Sequence, residues 1–182
     1  MMKREIEVFD YAGEILRALP TGILVVTQAE ECVNAMTIGW GTLGIEWSTK
    51  IFTIYIREGR FTRELLDRSG EFVVSVPYGE EHAAKAKKAI GICGSRSGRD
   101  NDKIAQAGLT IVDADIVQPP ALKELPLTLE CRVIFQQEQP LNLIHSRFKK
   151  FYPQDVDGSH CSSNRDPHVA YYGEILKSYI IE

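Results

Sequence analysis

The chain has 182 residues, a formal net charge of −4, 44% hydrophobic residues and 25% charged residues. A chain of this size and composition is typical of one globular domain with its own core, so we treat residues 1–182 as a single domain. The negative charge argues against nucleic acid or an anionic membrane as the main partner, since both attract basic surfaces. A small anionic ligand remains compatible, because it needs only a few local cations.

The sequence also argues against a membrane or secreted protein. It has no apolar run of bilayer-spanning length, and "MMKREIEVFD" lacks the apolar core of a signal peptide. The four cysteines are widely spaced and form no Cys-x-x-Cys pair, which indicates reduced thiols. The sequence therefore predicts a cytoplasmic protein that binds neither nucleic acid nor membrane.

The first part of the chain predicts one helix and one strand. In "DYAGEILRAL", Tyr11, Ile15 and Leu19 fall on one face. This pattern predicts an N-terminal helix within residues 1–18, with Asp10 as its cap and a proline after its end. "GILVVTQ" predicts a buried strand, and "EECV" predicts a turn.

The middle of the chain alternates strands with short helices. "KIFTIYIR" places Phe52, Ile54 and Ile56 on one side and predicts a strand, and "EFVVSVP" predicts another. "FTRELLDRSG" predicts a helix that ends at Gly70. "EHAAKAKKAI" predicts a second helix, and "NDKIAQAG" predicts a third that Asp100 caps.

The last part predicts two long strands around a polar loop. "LTLECRVIF" alternates cleanly, with its apolar residues on one face and Thr128 and Glu130 on the other. Residues 149–167 are polar and contain Pro, Gly, Ser and Asn, which predicts a variable loop. "HVAYYGEILKSYII" predicts the final strand, with Tyr171 and Tyr172 on opposite faces.

Strands therefore dominate, and turns or short helices link them. This order favours a mainly β fold, an antiparallel barrel with peripheral short helices, over a doubly wound sheet. No Gly-x-Gly-x-x-Gly follows the first strand, so a Rossmann nucleotide site is not supported. These patterns predict a fold class and no function.

Four segments carry a family resemblance. "NAMTIGWGTLGIEWSTKIFTIYIREGRFTRELLDRSGEFVVSVP", "CGSRSGRDNDK", "LECRVIF" and "HVAYYGEIL" resemble, in this order, segments of the flavin reductase-like and flavoredoxin family of FMN-binding proteins. The resemblance implies an antiparallel split β-barrel of Greek-key type with about six strands. It also implies bound FMN, NAD(P)H as a possible electron donor, and a homodimer with FMN near the subunit interface. The polar loop departs from the family pattern.

"NAMTIGWG", residues 34–41, is the predicted site of the flavin ring. Gly39 and Gly41 would let a flat ring approach the main chain closely, and Trp40 offers an aromatic wall. The resemblance assigns cofactor binding here to Asn34, Met36, Thr37, Ile38, Gly39 and Trp40. The alternative is a bulged core strand in which Met36 and Trp40 simply pack.

The predicted phosphate site lies in "REGRFT", where a strand ends and a helix begins. Arg57, Arg60 and Thr62 would meet the phosphate together with the free N–H groups of the helix start. The alternative is that these arginines are ordinary solvated residues. Lys103 could face the phosphate or the flavin ring, where a cation stabilises reduced flavin, or it could belong to a helix-capping loop. Cys93 is expected to be a buried small side chain rather than a redox thiol.

His168 opens the last strand, where related flavin reductases carry a His beside the nicotinamide or the flavin. The resemblance makes His168 the candidate catalytic residue, as a hydrogen-bond donor to substrate or cofactor. His160, Cys161 and His168 also suggest a metal, but no pair has the tight spacing of a zinc site, so no metal is predicted. We expect one of Tyr171 and Tyr172 in the core and the other at a pocket or subunit contact.

Three functional classes remain open from the sequence. The leading one is an NAD(P)H-dependent flavin reductase, in which hydride passes from nicotinamide to flavin N5 and the cofactor carries the chemistry. The second is a flavoredoxin-like FMN electron carrier with a redox protein partner and no NAD(P)H activity of its own. The third is a barrel that binds another ligand or none.

Overall fold

Antiparallel β-strands are the predominant regular element of the computed structural model, which describes residues 1–157 and 163–182. The strands in these ranges are β1 (Lys3–Glu5), β2 (Ile23–Ala29), β3 (Cys32–Ile38), β4 (Gly41–Glu46), β5 (Thr49–Arg57), β6 (Glu71–Val76), β7 (Ile111–Val112), β8 (Ala121–Leu122), β9 (Leu127–Glu138) and β10 (His168–Ile181). The helices are α1 (Ala12–Ala18), α2 (Phe61–Ser69), α3 (Ala83–Ser95) and α4 (Lys103–Ala107), with 3-10 turns at Val8–Tyr11, Leu19–Thr21 and Ser146–Phe151.

The main sheet curls into an open barrel. Its order is β3-β2-β6-β9-β10-β5-β4, with β1 added to β10, and β7 and β8 form a separate pair. β3 and β4 lie at opposite ends of this order, although only Gly39 and Trp40 separate them in the chain. Three Cα steps span at most about 11 Å, so the sheet must curl until its two edges come close. The predicted antiparallel split barrel is confirmed, with eight strands in the described sheet instead of about six.

A cluster of buried apolar residues packs against each face of the sheet. Phe52, Ile54 and Ile56 are fully buried on the predicted inner face of β5. On β9, Thr128 and Glu130 are also fully buried, although alternation placed them on the face away from the apolar residues. The segment that covers this face explains the burial: the Glu130 carboxylate accepts hydrogen bonds from the main-chain N–H groups of residues 115–117, which lie against it. A buried carboxylate bonded in this way is a structural group.

The helix predictions need three corrections of detail. Residues 1–18 are not one helix, because β1 precedes α1 and Glu7, rather than Asp10, caps the first 3-10 turn. The α4 cap is Asp102, not Asp100, and its side chain accepts from the Ala105 N–H at 2.9 Å. α3 runs on to Ser95, beyond the predicted segment, whereas α2 ends as predicted at Gly70, which has a left-handed φ of 67°.

Candidate functional site

The end of β3 faces a cavity at the split of the barrel. β3 pairs with β2 in unbroken register from Cys32 to Ile38, so the proposed bulge is not there. As an edge strand, β3 leaves main-chain groups on its outer side without a neighbour in the sheet. A cavity of about 210 Å³, the strand-end cavity, is lined by Met36, Thr37, Ile38, Gly39, Trp40, Tyr55, Arg57, Arg60, Asn164 and His168.

The two glycines of "NAMTIGWG" differ in their surroundings. A Cβ on Gly39 would meet only the Leu19 main-chain oxygen, at 3.5 Å, which is an ordinary contact. A Cβ on Gly41 would lie 3.1 Å from the Phe52 ring and 3.2 Å from the Thr53 oxygen. The packing of Phe52 and Thr53 therefore explains why residue 41 is a glycine. The neighbours of Gly39 would accept a side chain, so packing does not explain the glycine that lines the cavity there.

Trp40 and His168 form an aromatic wall of the strand-end cavity. Trp40 is 43% exposed, which argues against a role as a core residue. Its ring lies 5.1 Å from the His168 ring and 5.3 Å from the Phe151 ring, centroid to centroid. His168 is buried, and its Nδ1 is 2.8 Å from the Tyr152 hydroxyl. An exposed indole held by neighbouring rings can act as a wall for a flat ligand.

His168 is held in its neutral form at physiological pH. Burial, together with the nearby positive charge of Arg57, lowers the pKa of His168 from 6.5 to about 4. Neutral imidazole can donate or accept a hydrogen bond, but it is not a ready proton donor at neutral pH. The sequence-based role of His168 as a hydrogen-bonding group is compatible with this state.

We expect this buried imidazole to make stability depend on pH. The unfolded chain binds the His168 proton below about pH 6.5, whereas the folded chain binds it only near pH 4. This contribution to stability is therefore complete above pH 6.5 and is lost as the pH falls towards 4. The expected loss is roughly 1–3 kcal/mol. Urea unfolding at several pH values should show this loss of unfolding free energy in the wild type and not in His168→Gln. The same dependence of unfolding free energy on pH in both proteins would contradict the prediction.

A second cavity, of about 310 Å³, adjoins the first. The two share Met36, Thr37, Arg60 and Asn164. Its remaining walls come from β3, the start of α2, the end of α3, the loop that follows and the start of α4, namely Asn34, Gly59, Phe61, Thr62, Cys93, Gly94, Ser95, Arg96, Ser97, Gly98, Arg99 and Lys103. Because these walls include arginine and lysine and no carboxylate, we call this space the cationic cavity.

Buried polar side chains support the cationic cavity. Asn34 and Thr62 are almost fully buried, and the Asn34 Nδ2 donates to Thr62 Oγ1 at 2.8 Å. Gly98 lies directly over this pair, since a Cβ there would come within 2.1 Å of the Asn34 Oδ1. Thr37 Oγ1 donates to the Ile90 oxygen of α3 at 2.6 Å. These contacts fix β3, α2 and α3 around one space.

Lys103 is a buried cation at the cationic cavity. It is 4% exposed, and its Nζ donates one long hydrogen bond, 3.5 Å, to the Cys93 oxygen. Within the described residues it forms no ion pair with a carboxylate. Burial, with a smaller contribution from nearby Arg60, lowers its pKa. A buried ammonium with so few partners is suited to an anionic ligand.

Arg60 stands at the start of α2. Its main chain occupies the N-cap position, and no side chain caps this helix. The guanidinium Nη2 donates to the Asn164 Oδ1 at 2.7 Å. An N-terminus of a nine-residue helix with an arginine beside it is a suitable environment for a phosphate.

Arg57 instead holds the polar loop. Its guanidinium donates to the main-chain oxygens of Asn164, Asp166 and Phe151 at 2.7 to 3.0 Å. Burial lowers its pKa. These bonds occupy the guanidinium, so Arg57 shapes the cavity wall, and a phosphate role for it stays a prediction.

Several lining residues were missed from the sequence. The sequence places Tyr55 on a strand without indicating a site role, and Asn164, with a left-handed φ of 56°, lies in the polar loop. Arg96 and Arg99 belong to the quoted "CGSRSGRDNDK", but only Lys103 was singled out there. The available signal in the sequence was this pair of arginines in the segment between two predicted helices. Cys93 is buried as expected, and burial raises its pKa.

The described residues contain no group of three or more His, Cys, Asp or Glu placed to hold a metal. His160 and Cys161 of the metal alternative lie outside the described residues. No helix within the described ranges is both long and apolar enough to cross a membrane.

Comparison with known proteins gives a family match. A family model described as "Flavin reductase like domain" matches residues 16–160. An uncharacterized protein of Archaeoglobus fulgidus is 30% identical over 119 residues, which are 65% of this chain and 64% of that protein. The chain thus spans less than two-thirds of that relative's length.

Two solved structures share the architecture. Flavoredoxin from Methanosarcina acetivorans has a TM-score of 0.64 at 22% identity, over 88% of this chain and 68% of that one. An FMN-binding domain of a flavin reductases-like enzyme from Shewanella baltica has a TM-score of 0.64 at 17% identity, over 98% and 77% of the two chains. At these identities the likeness establishes a common fold.

Proposed function

Because the chain belongs to the flavin reductase-like family, we propose that it binds FMN across the strand-end and cationic cavities. One observation supports this proposal above all: every predicted site residue lines one of these two adjoining cavities. Residues from 34 to 168 come together there, although they are spread over most of the chain.

The residues present fit the chemistry of FMN. The phosphate would lie in the cationic cavity, near Arg60, Lys103 and the start of α2. The flavin ring would lie against the end of β3, where Gly39 leaves space and outer main-chain groups can bond the pyrimidine edge. Bound flavin supplies two-electron and one-electron chemistry, and the protein supplies binding, orientation and electrostatics.

The leading function is an NAD(P)H-dependent flavin reductase. His168 and Trp40 both line the strand-end cavity, and a nicotinamide could approach the flavin at the exposed Trp40. Neutral His168 would orient a polar group of cofactor or substrate rather than transfer a proton. The reaction needs little acid–base chemistry from the chain, since the cofactors exchange the hydride.

The alternative is a flavoredoxin-like FMN electron carrier that serves a redox protein partner. One experiment tests both. The protein as purified, supplemented with FMN, should show bound flavin bands in visible absorbance, and anaerobic addition of NADH or NADPH should bleach them. Bound flavin without bleaching would favour the carrier, and absence of bound flavin would overturn the proposal. A cytoplasmic location remains part of the proposal.

We also propose a homodimer through an exposed aromatic face of the sheet. Trp47 is 60% exposed and Phe135 is 44% exposed, and their ring centroids are 5.9 Å apart. Tyr172 extends the group, 5.2 Å from Phe135, whereas Tyr171 is in the core. Exposed aromatic clusters of this kind mark contact surfaces. Sedimentation should give twice the chain mass, and a monomer that binds FMN tightly would count against the dimer.

A further inference from the structure

Two buried side chains, Tyr152 and His168, meet at the wall of the strand-end cavity. Tyr152 comes from the polar loop and is 8% exposed, and His168 opens β10 and is 5% exposed. The Tyr152 hydroxyl oxygen and the His168 Nδ1 are 2.8 Å apart, which is a hydrogen-bond distance. Because a phenol and a neutral imidazole can each donate or accept, the distance alone is compatible with two arrangements.

The hydrogens of this pair favour Tyr152 as the donor. A phenol carries one hydrogen, and among the residues that the structure describes, the Tyr152 hydroxyl has His168 as its sole hydrogen-bond partner. If the His168 Nδ1 donated instead, the phenol hydrogen would be buried without an acceptor, which costs free energy. When Tyr152 donates, both hydrogens of the contact are accounted for, because the imidazole hydrogen is then on the other nitrogen.

The charges around the pair favour the same arrangement. The Arg57 guanidinium carbon lies 4.8 Å from the centroid of the Tyr152 ring. A positive charge at this place strengthens the phenol as a hydrogen-bond donor, because it stabilises negative charge on the phenol oxygen. Burial nevertheless raises the pKa of Tyr152, so the phenol keeps its hydrogen at neutral pH. Tyr152 is therefore a protonated phenol that faces an unprotonated imidazole nitrogen.

Arg57 also holds Tyr152 in place. Besides contacting the Tyr152 ring, its guanidinium donates to the main-chain oxygen of Phe151, the preceding residue, at 2.8 Å. Its other bonds go to the main-chain oxygens of Asn164 and Asp166, just before β10. One guanidinium thus ties the segment that carries the phenol to the segment that carries the imidazole, and the contact between them is fixed from both sides.

The arrangement decides which nitrogen of His168 carries the hydrogen. A neutral imidazole has one N–H, so an Nδ1 that accepts from Tyr152 leaves the hydrogen on Nε2. Within the described part of the chain, Nε2 has no hydrogen-bond partner. His168 lines the strand-end cavity, so its Nε2–H is a donor that a ligand there can use. The group that suits it is an acceptor, such as a carbonyl oxygen.

We propose that Tyr152 is a positioning residue that fixes His168 as the Nε2–H tautomer, so that the strand-end cavity offers a hydrogen-bond donor to a carbonyl group of its ligand. The flavin ring and the carboxamide of nicotinamide both carry such a group. The proposal rests on the proposed function only for the identity of this ligand. The tautomer is a property of the flavin-free protein, so the two proposals can fail separately.

NMR of the full chain with ¹⁵N-labelled histidine measures the tautomer directly. The chain has four histidines, and the signals that are missing in His168→Gln identify those of His168. In the flavin-free wild type at neutral pH, we expect the hydrogen on Nε2 in roughly tenfold excess or more, since a buried polar hydrogen without an acceptor is costly. A wild-type His168 with its hydrogen on Nδ1 would overturn the proposal, whatever the variants do.

Tyr152→Phe removes the hydroxyl and keeps a ring beside Arg57. The Nδ1 signal of His168 should move, because the hydrogen bond that it accepts is gone, and the tautomer excess should fall several-fold. Tyr172→Phe is the matched control, since it removes a hydroxyl from the strand of His168 that bonds Gln137 instead. It should leave both His168 signals unchanged. If Tyr152→Phe also leaves them unchanged, Tyr152 only packs against His168.

Added ligands identify the acceptor. Oxidised FMN is added first and NAD⁺ second, so that no reaction takes place. A shift of the Nε2–H signal with FMN assigns the acceptor to the flavin, and a shift that needs NAD⁺ assigns it to the nicotinamide. FMN that is bound by visible absorbance, with no shift on either addition, would overturn the donor role. Absence of bound FMN would contradict the proposed function and leave the tautomer result standing.

Discussion

Gly39→Val should give a folded protein that no longer binds FMN. Valine would place branched carbons on the main chain at the point where the flavin ring is proposed to lie, and the two cannot share that space. The protein itself tolerates a Cβ here, since its one near contact is the Leu19 oxygen at 3.5 Å. Visible absorbance after FMN addition and desalting, beside thermal unfolding of the flavin-free protein, measures both effects.

The chain offers two matched glycine controls. Gly44 of β4 lines neither the strand-end cavity nor the cationic cavity, and a Cβ there meets no atom within 4 Å. Gly44→Val should therefore leave FMN binding unchanged. Gly41→Ala should lower the melting temperature, because its Cβ would crowd Phe52. If Gly39→Val stays folded and binds FMN normally, "NAMTIGWG" is only a strand end.

Trp40→Ala tests the alternative that this stretch serves only packing. A fully buried large side chain costs about 2–5 kcal/mol when truncated, but Trp40 is 43% exposed. We therefore expect a smaller loss of stability together with weaker FMN binding. A large loss of stability with unchanged FMN affinity in the folded fraction would support the packing role.

Arg60→Ala should weaken FMN binding far more than riboflavin binding. Riboflavin has the same ring and ribityl chain but no phosphate, so the difference reports the phosphate contact. Loss of a charge-assisted hydrogen bond costs about 1.5–3 kcal/mol, or roughly ten- to a hundredfold in affinity. Fluorescence titration of both flavins measures the two affinities.

Arg63→Ala is the control for Arg60→Ala. Arg63 lies on the same helix and lines neither the strand-end cavity nor the cationic cavity. It forms ion pairs with Glu58 and Asp67. It should bind both flavins normally. If Arg60→Ala weakens both flavins equally, the phosphate lies elsewhere, and Lys103→Met becomes the variant to measure next.

The barrel could be predicted because its strands depend on local patterns. Alternation on β5 and β9 and the Gly70 helix end are properties of a few neighbouring residues. The burial of Glu130 could not be predicted, because it depends on main-chain N–H groups of residues 115–117 that approach from a distant segment. Alternation identifies a face of a strand but not what covers it.

The candidate site shows the same limit. The residues of "NAMTIGWG" could be proposed because glycine and indole types suit a flat ligand. Asn164 could not, since its position depends on Arg57 and Arg60 bonding to it from another strand and helix. For the same reason the sequence could not predict the three hydrogen bonds that occupy Arg57. An arginine at the end of a strand is expected both for a residue that binds phosphate and for one that holds a loop.

The position of β10 has a consequence for how the chain folds. β10 pairs with both β9 and β5, yet it emerges from the ribosome after every other strand of the sheet. Until it emerges, β5 and β9 expose unpaired edges that can associate with other chains. The pairing of Lys3 in β1 with Ile181 in β10 joins residues that are far apart in the chain, and contacts of this kind slow folding. Changes within the last strand should therefore reduce the yield of folded protein more than changes at the ligand contacts, and slower synthesis should prolong the interval in which nascent chains aggregate.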